Sequence, residues 1–337
     1  MHDISYVIPT LNSASCLSRC LESILAQTVP RSAYEIIIAD AGSTDATVEI
    51  AKRFGADQIV ANPLKTGEAG KAVGISASDG KIIALIDSDN LLDSPDWLEK
   101  MTAPFSDPDV IASEPVRYTV RAEDPALSRY FALLGMNDPL CLFVGNYDRE
   151  CAITGRWTGL HPRVEQKEGW LKVFLDEKNL PTIGANGFIF RRTLLHHVQW
   201  QPYYMDIDVV SQAVEKGLGT VAKVDCGIVH LYCSRLADFK RKQERRIRDF
   251  LFFSRQGERS YPWNRQRRSG ILRFCLETAL VVPLLVQQFR GRRRKTDRAW
   301  WYHVPVCWIT LWVYGTAATK KMLGIPLKIY SRENWKQ

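Results

Sequence analysis

Short apolar runs alternate with stretches of helical spacing through the first 120 residues. Residues 4–8 form a short apolar run, and residues 17–25 repeat apolar positions every three or four residues after the polar, cap-rich segment 12–15. Residues 35–39 (EIIIA) read as a second buried strand, 46–54 as a helix, 58–60 as a short strand, 67–78 as a helix of small residues and 82–86 as a further strand. Strands separated by helical segments predict an α/β fold with a mostly parallel sheet flanked by helices. In such sheets ligands bind beyond the carboxyl ends of the strands, where Asp40 and Asp87 both fall. Residues 117–182 lose this rhythm. It resumes with a strand over 182–190, a helix over 206–216 stopped by Gly217, short strands over 222–225 and 228–231, and a long basic helix over 236–253.

Two apolar stretches close the chain. The first, 271–289, contains Arg273, Glu277 and Pro283; the second, 299–319, runs 21 residues without Asp, Glu, Lys or Arg. About 20 apolar residues can cross a bilayer as a helix. The intervening segment 290–298 carries six Lys/Arg against one Asp, and the flanks at 265–268 and 320–321 are basic too. The positive-inside rule places all three polar segments on the cytoplasmic side. The pattern therefore predicts a C-terminal hydrophobic hairpin or two interfacial helices rather than two crossings. Trp300, Trp301, Tyr302, Trp308, Trp312 and Tyr314 suit the headgroup level. A buried soluble helical pair is the alternative.

Charge sharpens this division. The net charge of +8 over 337 residues conceals an acidic part, 1–233 at −9, followed by 234–298 at +13 and 299–337 at +4. Such asymmetry points to nucleic acid, an anionic membrane or an anionic substrate. The adjoining tryptophan-rich apolar segments favour the membrane and argue against nucleic acid. Ordinary apolar and charged fractions, 46% and 24%, exclude a disordered or low-complexity chain. Eight cysteines show no CxxC pair and no zinc-site spacing, so free thiols are expected. The opening MHDISYVIPT has neither a basic n-region nor a long apolar run, and the first part is expected to stay in the cytosol.

Four places carry candidate chemistry. Asp87-Ser88-Asp89 follows a buried strand and offers hard oxygen ligands to a divalent cation. Asp40–Asp45 (DAGSTD) pairs a tight turn at Gly42 with a carboxylate able to accept from a base N–H. Asp206-Ile207-Asp208 sets a carboxylate at a helix start, where it can act as a general base. His230 lies on a short strand. Standing alone, each also reads as a turn, a helix start or a packing residue.

Their order, DAGSTD, DSD, DID and His, resembles family 2 inverting glycosyltransferases of the GT-A fold. The likeness begins at Val7-Ile8-Pro9-Thr10-Leu11-Asn12, similar to the family's VIIPTYN with Leu11 replacing Tyr. It continues through Cys20-Leu21-Glu22-Ser23 and Gln27, through Asp40–Asp45 with Ala41 in place of a second Asp, and through the Lys71–Gly80 segment to the DxD. Asp206 lies eleven residues before Gly217, the spacing of the family's base, with Met205 replacing the usual Glu; Asp208 is the fallback. Gln243–Arg246 is similar to the QxxRW motif of processive synthases, but Ile247 replaces Trp, which disfavours a processive enzyme.

The resemblance implies a nucleotide-diphospho-sugar donor and a Mg²⁺ or Mn²⁺ ion. Pro9, Thr10, Asn12, Asp40 and Lys71 would serve the donor, Arg246 its diphosphate, and Asp87 the ribose or metal. Asp89 and His230 would ligate the metal, Asp206 would act as base, and Gly184, Asn186 and Trp157 would line the acceptor site. The expected organisation is a GT-A domain over 1–255, with a nucleotide-sugar half 1–116 and an acceptor half 117–255, then a basic, membrane-associating region 256–337. Anchoring through 270–320 at the cytoplasmic membrane face implies a lipid- or polyprenyl-linked acceptor. A homo-oligomer is compatible with the sequence. The competing readings are a nucleotidyltransferase of the same broad class and an inactive nucleotide-sugar-binding scaffold.

Overall fold

The computed structural model describes residues 2–257, 259–262 and 268–325. The chain begins β1 (Ile4–Thr10), α1 (Ala14–Leu25), β2 (Tyr34–Asp40), α2 (Thr47–Arg53), β3 (Gln58–Ala61), α3 (Gly67–Ala77) and β4 (Ile82–Leu85). It continues β5 (Asn90–Leu92), α4 (Trp97–Thr102), β6 (Ala112–Tyr118), α5 (Ala126–Leu134), α6 (Leu140–Val144), β7 (Arg163–Lys167), β8 (Trp170–Phe174) and β9 (Phe188–Arg191). Then come α7 (Asp206–Glu215), β10 (Thr220–His230), α8 (Leu236–Gln256), α9 (Arg268–Leu280), α10 (Val282–Arg294) and α11 (His303–Met322).

The strands form one sheet in the order β3-β2-β1-β4-β9-β6-β10-β8-β7, with β5 also on β10. β3, β2, β1 and β4 run parallel, as the alternation of strand and helix predicts. The rest departs from the mostly parallel expectation: β9 is antiparallel to both β4 and β6, and β10 pairs parallel with β6 but antiparallel with β8 and β5. The sheet is therefore mixed. The strand expected over 182–190 shortens to β9, because Gly184, Asn186 and Gly187 all hold positive φ. The two short strands expected around His230 are one strand, β10, with a register shift between Val224 and Gly227.

The described residues group into two compact units, 2–119 with 162–230 and 120–161 with 231–325. This differs from the linear cut at 255, since 120–161 and 231–255 belong with the C-terminal helices. The first unit holds the whole sheet, with Tyr6, Val7, Ile36, Ile37, Ile83 and Phe188 in its core. The second is helical, built around Phe131, Phe143, Phe239, Phe274 and Trp300. In place of the first apolar arm of a hairpin there is a broken helix: α9 and α10 meet at 96° about Val281. Residues 263–267, part of the basic flank, and 326–337 lie outside the described residues.

Candidate active site

Parallel pairing of β1 with β2 sets their last residues, Thr10 and Asp40, side by side. The Thr10 hydroxyl donates to Asp40 Oδ1 at 2.9 Å and the Ser43 hydroxyl to the same oxygen at 2.5 Å. The Gly42 and Ser43 amides donate to Oδ2 at 2.9 and 2.8 Å. A carboxylate has about four acceptor positions, so Thr10 from β1 and the 42–43 turn together engage all of them. Burial works against the charge, but these hydrogen bonds prevail and hold Asp40 below the usual carboxylate range. Asn12 is laced to the same turn: its amide donates to Ser43 Oγ at 2.9 Å and its Oδ1 accepts from the Thr44 amide at 2.8 Å. Asp45 accepts from the amides of Ala14 and Thr47, at the starts of α1 and α2. Beside this turn opens a cleft lined by Asp40, Ala41, Gly42, Asn62, Pro63 and Lys65. Pro9 faces α3, and a Cβ on Gly70 would lie 2.8 Å from it.

Small residues explain where α3 sits. A Cβ at Gly74, one turn beyond Gly70, would lie 2.4 Å from Val7, so only glycine lets the helix rest on β1. That contact carries Lys71 to the carboxyl edge of the sheet. The Lys71 ammonium, 6% exposed, lies 2.8 Å from both oxygens of Asp206 and 3.6 Å from Asp87 Oδ1. The backbone supports the meeting, because the Tyr204 amide donates to the Glu68 carbonyl at 2.9 Å, tying the approach to α7 onto the start of α3. Burial pushes the Asp206 carboxyl up to about 7; Lys71 pulls it down and Asp87 pushes it further up. The Lys71 ammonium is held above its usual range because the two carboxylates outweigh its burial. The Asp206 side chain is 22% exposed, and a half-buried carboxyl titrating near neutrality within reach of an incoming acceptor has the property a general base needs. Asp208 is 1% exposed, and it is Asp206 that meets Lys71.

Asp89 Oδ2 faces His230 Nε2 at 3.6 Å. Nearby, Asn90 Nδ2 donates to Asn186 Oδ1 at 3.2 Å and Asn186 Nδ2 to the Tyr118 hydroxyl at 3.1 Å; the Tyr118 and His230 rings lie 5.7 Å apart. A carboxylate and an imidazole facing each other are donor types that Mn²⁺ or Mg²⁺ accepts, while Asp87 turns Oδ1 toward the Lys71 ammonium, 3.6 Å away. Among the described residues the one group of three such side chains with their ligand atoms gathered within 4.8 Å is a different one, His2, Glu35 and Asp79, at the amino-terminal edge of β1, β2 and β4. Its central carboxylate is taken by structure: Glu35 Oε1 accepts from the Ser5 hydroxyl at 2.6 Å and the Asp79 amide at 2.7 Å.

Gly184 touches the start of α7: a Cβ there would lie 2.7 Å from the Asp206 carbonyl oxygen. Its amide donates to Glu114 Oε1 at 3.0 Å, and Glu114 Oε2 accepts from Lys223 at 2.8 Å. Both side chains of that pair are 0% exposed. Sequence reasoning missed Glu114, Lys223, Asn90 and Tyr118. For Glu114 and Lys223 the available signal was a charged residue at a buried position of a strand, in β6 and in β10. Of the remaining expected site residues, Arg246 and Trp157 belong to the helical unit. Arg246 Nη1 lies 3.4 Å from Asp138 and donates to Gln243 Oε1 at 3.0 Å and the Asn137 carbonyl at 3.2 Å. Trp157 is half-buried.

The Glycosyl transferase family 2 model matches residues 5–196, more than half of the chain. A glycosyltransferase of Haloferax volcanii, AglE, is 31% identical over 141 residues, 40% of this chain and 45% of its own length. A dolichyl N-acetyl-α-D-glucosaminyl phosphate 3-β-D-2,3-diacetamido-2,3-dideoxy-β-D-glucuronosyltransferase of Methanococcus voltae is 42% identical over 54 residues, 16% of this chain and 17% of its own. Such matches span less than half the length of these relatives. Among solved structures, the mannosyltransferase PcManGT of Pyrobaculum calidifontis, in complex with GDP-Man and Mn²⁺, superposes with a TM-score of 0.50 at 16% identity, covering 99% of this chain and 82% of that one. The fold is GT-A-like. With the family's segments in order along the sheet and its model spanning the parallel half and β9, the chain belongs to glycosyl transferase family 2.

Proposed function

We propose that this chain is an inverting, divalent-metal-dependent glycosyltransferase that moves a sugar from a nucleotide-diphospho-sugar to a lipid-linked acceptor at the cytoplasmic face of a membrane. The observation that carries the reading is the Lys71–Asp206–Asp87 cluster at the carboxyl edge of the sheet. Asp206 takes the proton of an acceptor hydroxyl as the new bond to the anomeric carbon forms and the bond to the diphosphate breaks. One in-line displacement inverts that carbon. Lys71 holds Asp206 in place and keeps its charged form accessible. Asp89 and His230, with Asp87, would hold the metal, which supplies charge neutralisation to the leaving diphosphate. The cleft beside Asp40 and Gly42 is of a kind suited to a nucleobase. The GDP-Man and Mn²⁺ of the Pyrobaculum enzyme support the donor and metal, and the dolichyl N-acetyl-α-D-glucosaminyl phosphate in the name of the Methanococcus enzyme supports a lipid-linked acceptor.

The test is thermal stability of the detergent-purified chain against UDP-, GDP-, CMP- and dTDP-sugars, each with and without Mn²⁺. The expected result is a metal-dependent rise with one nucleotide class, lost in Asp89→Ala. No rise with any donor, in folded protein, overturns the metal-dependent donor model and favours the inactive scaffold.

A further inference from the structure

Helices α9, α10 and α11 present apolar residues outward. On α9, the buried stripe Gly270, Phe274 and Thr278 faces inward, while Leu272, Leu276 and Leu280 are 54–67% exposed. The two stripes are offset by two residues, about 200° around a helix, so they lie back to back. α10 repeats the arrangement, with Leu284 and Gly291 buried and Val282, Leu285, Val286 and Phe289 exposed. On α11, His303, Val306, Thr310, Val313 and Ala317 face the core and Trp308 and Trp312 face out. These are packing helices whose opposite faces are also apolar, which water alone does not favour.

The elbow between α9 and α10 is apolar at its tip. Val281 adopts φ +62°, an uncommon conformation for a β-branched residue. Pro283 follows it in the first turn of α10. The flanking Leu280 and Val282 are 67% and 64% exposed. Each arm has 13 residues, about 20 Å of helix, against a hydrocarbon core of about 30 Å. Among the described residues no single helix is long and apolar enough to cross a membrane.

Charge identifies the occupant. Residues 268–325 carry ten Lys/Arg and two carboxylates. Both carboxylates are engaged: Glu277 accepts from Gln287 at 2.6 Å, and Asp297 pairs with Arg129 at 2.9 Å. Arg290, Arg292, Arg293, Lys295 and Arg298 are exposed directly after the apolar arm, and Lys320 and Lys321 are exposed near the end of α11. In a two-fold pair of copies that cationic rim would meet itself. An anionic lipid surface complements it.

We infer that the α9–α10 elbow is a wedge that enters one leaflet of an anionic membrane, with Leu280 and Val282 at its tip, the Arg290–Arg298 cluster at the phosphates and the exposed tryptophans at the interface. The inference rests on the membrane-face reading above and adds that α9 and α10 enter the leaflet without crossing the bilayer.

The test uses the full chain and sealed vesicles of phosphatidylcholine with or without phosphatidylglycerol. Wild type should float with the anionic vesicles. Leu280→Asp with Val282→Asp should weaken flotation at least tenfold while keeping the nucleotide-sugar thermal shift, which reports the fold. Arg292→Gln with Arg293→Gln should weaken only the anionic component, by roughly fivefold per residue. An NBD dye on Leu280→Cys, in a background where Cys16 and Cys275 are serine, should resist dithionite from either side of the bilayer. Wild type that stays unbound, or pairs with a second copy through this face, overturns both the wedge and the membrane reading. Flotation unaffected by the aspartates, or a dye reduced from outside or from the lumen, overturns the wedge alone.

Discussion

The Lys71 ammonium sits 2.8 Å from each oxygen of Asp206, a pairing of residues 135 apart in sequence. It stabilises the ionised carboxylate, while burial pushes that carboxyl up to about 7. Activity should therefore rise with pH through about 7 as Asp206 ionises. Replacing the cation by a neutral side chain removes the influence that lowers the carboxyl, so its pKa rises. In Lys71→Met the acidic limb of the pH–rate profile should move to higher pH, and in Lys71→Arg it should move less. A Lys71→Met limb that stays in place would show that Lys71 does not act through Asp206.

Asp206→Asn separates two kinds of acceptor. A general base typically contributes 10²–10⁴-fold, so a hydroxyl acceptor should cost kcat about that much, with the donor-induced thermal shift retained. A phosphate acceptor is already anionic and should lose far less. Single-turnover rates with each acceptor class make the comparison, and retention of full activity with a hydroxyl acceptor would remove Asp206 from the role of base.

The parallel half of the fold was legible in the sequence because local signals suffice there. Buried β1, β2 and β4 are short apolar runs, each followed by polar or turn residues, and Gly70 and Gly74 mark where α3 must approach. β6, β8 and β10 were harder. Glu114, Lys172 and Lys223 interrupt their apolar pattern, although all three side chains are buried. In β10 the Asp225-Cys226-Gly227 irregularity made one strand read as two. The acidic site residues could be named individually from their motifs. That Lys71 joins Asp206 to Asp87 could not, since no periodicity records a contact between α3 and the start of α7.

The Glu114–Lys223 pair gives a stability prediction. Both side chains are wholly buried, and Glu114 also accepts from the Gly184 amide. Removing one member of such a pair leaves an uncompensated charge and costs about 3–5 kcal/mol. Glu114→Ala should lose stability in that range in urea unfolding. Glu114→Leu combined with Lys223→Met should lose much less, because no lone charge remains. Equal losses in the single and double variants would mean that packing, rather than the charge pair, sets the cost.

Gly184→Ala should impair catalysis without touching the donor side. Its φ of +132° is poorly suited to a side chain, and the new methyl would lie 2.7 Å from the Asp206 carbonyl, a backbone atom with little room to yield. The start of α7 must then move away from Gly184, and Asp206 shifts relative to Lys71 and the acceptor. General-base efficiency depends on hydrogen-bond reach to the proton being taken, and a misplacement of about 1 Å can cost 10²-fold. Asp40, Asn12 and the cleft beside Gly42 lie on other elements, so the nucleotide-induced thermal shift should persist while kcat falls about 10–100-fold. A variant with normal kcat and a lost nucleotide shift would reverse this assignment and place the 182–187 loop on the donor side.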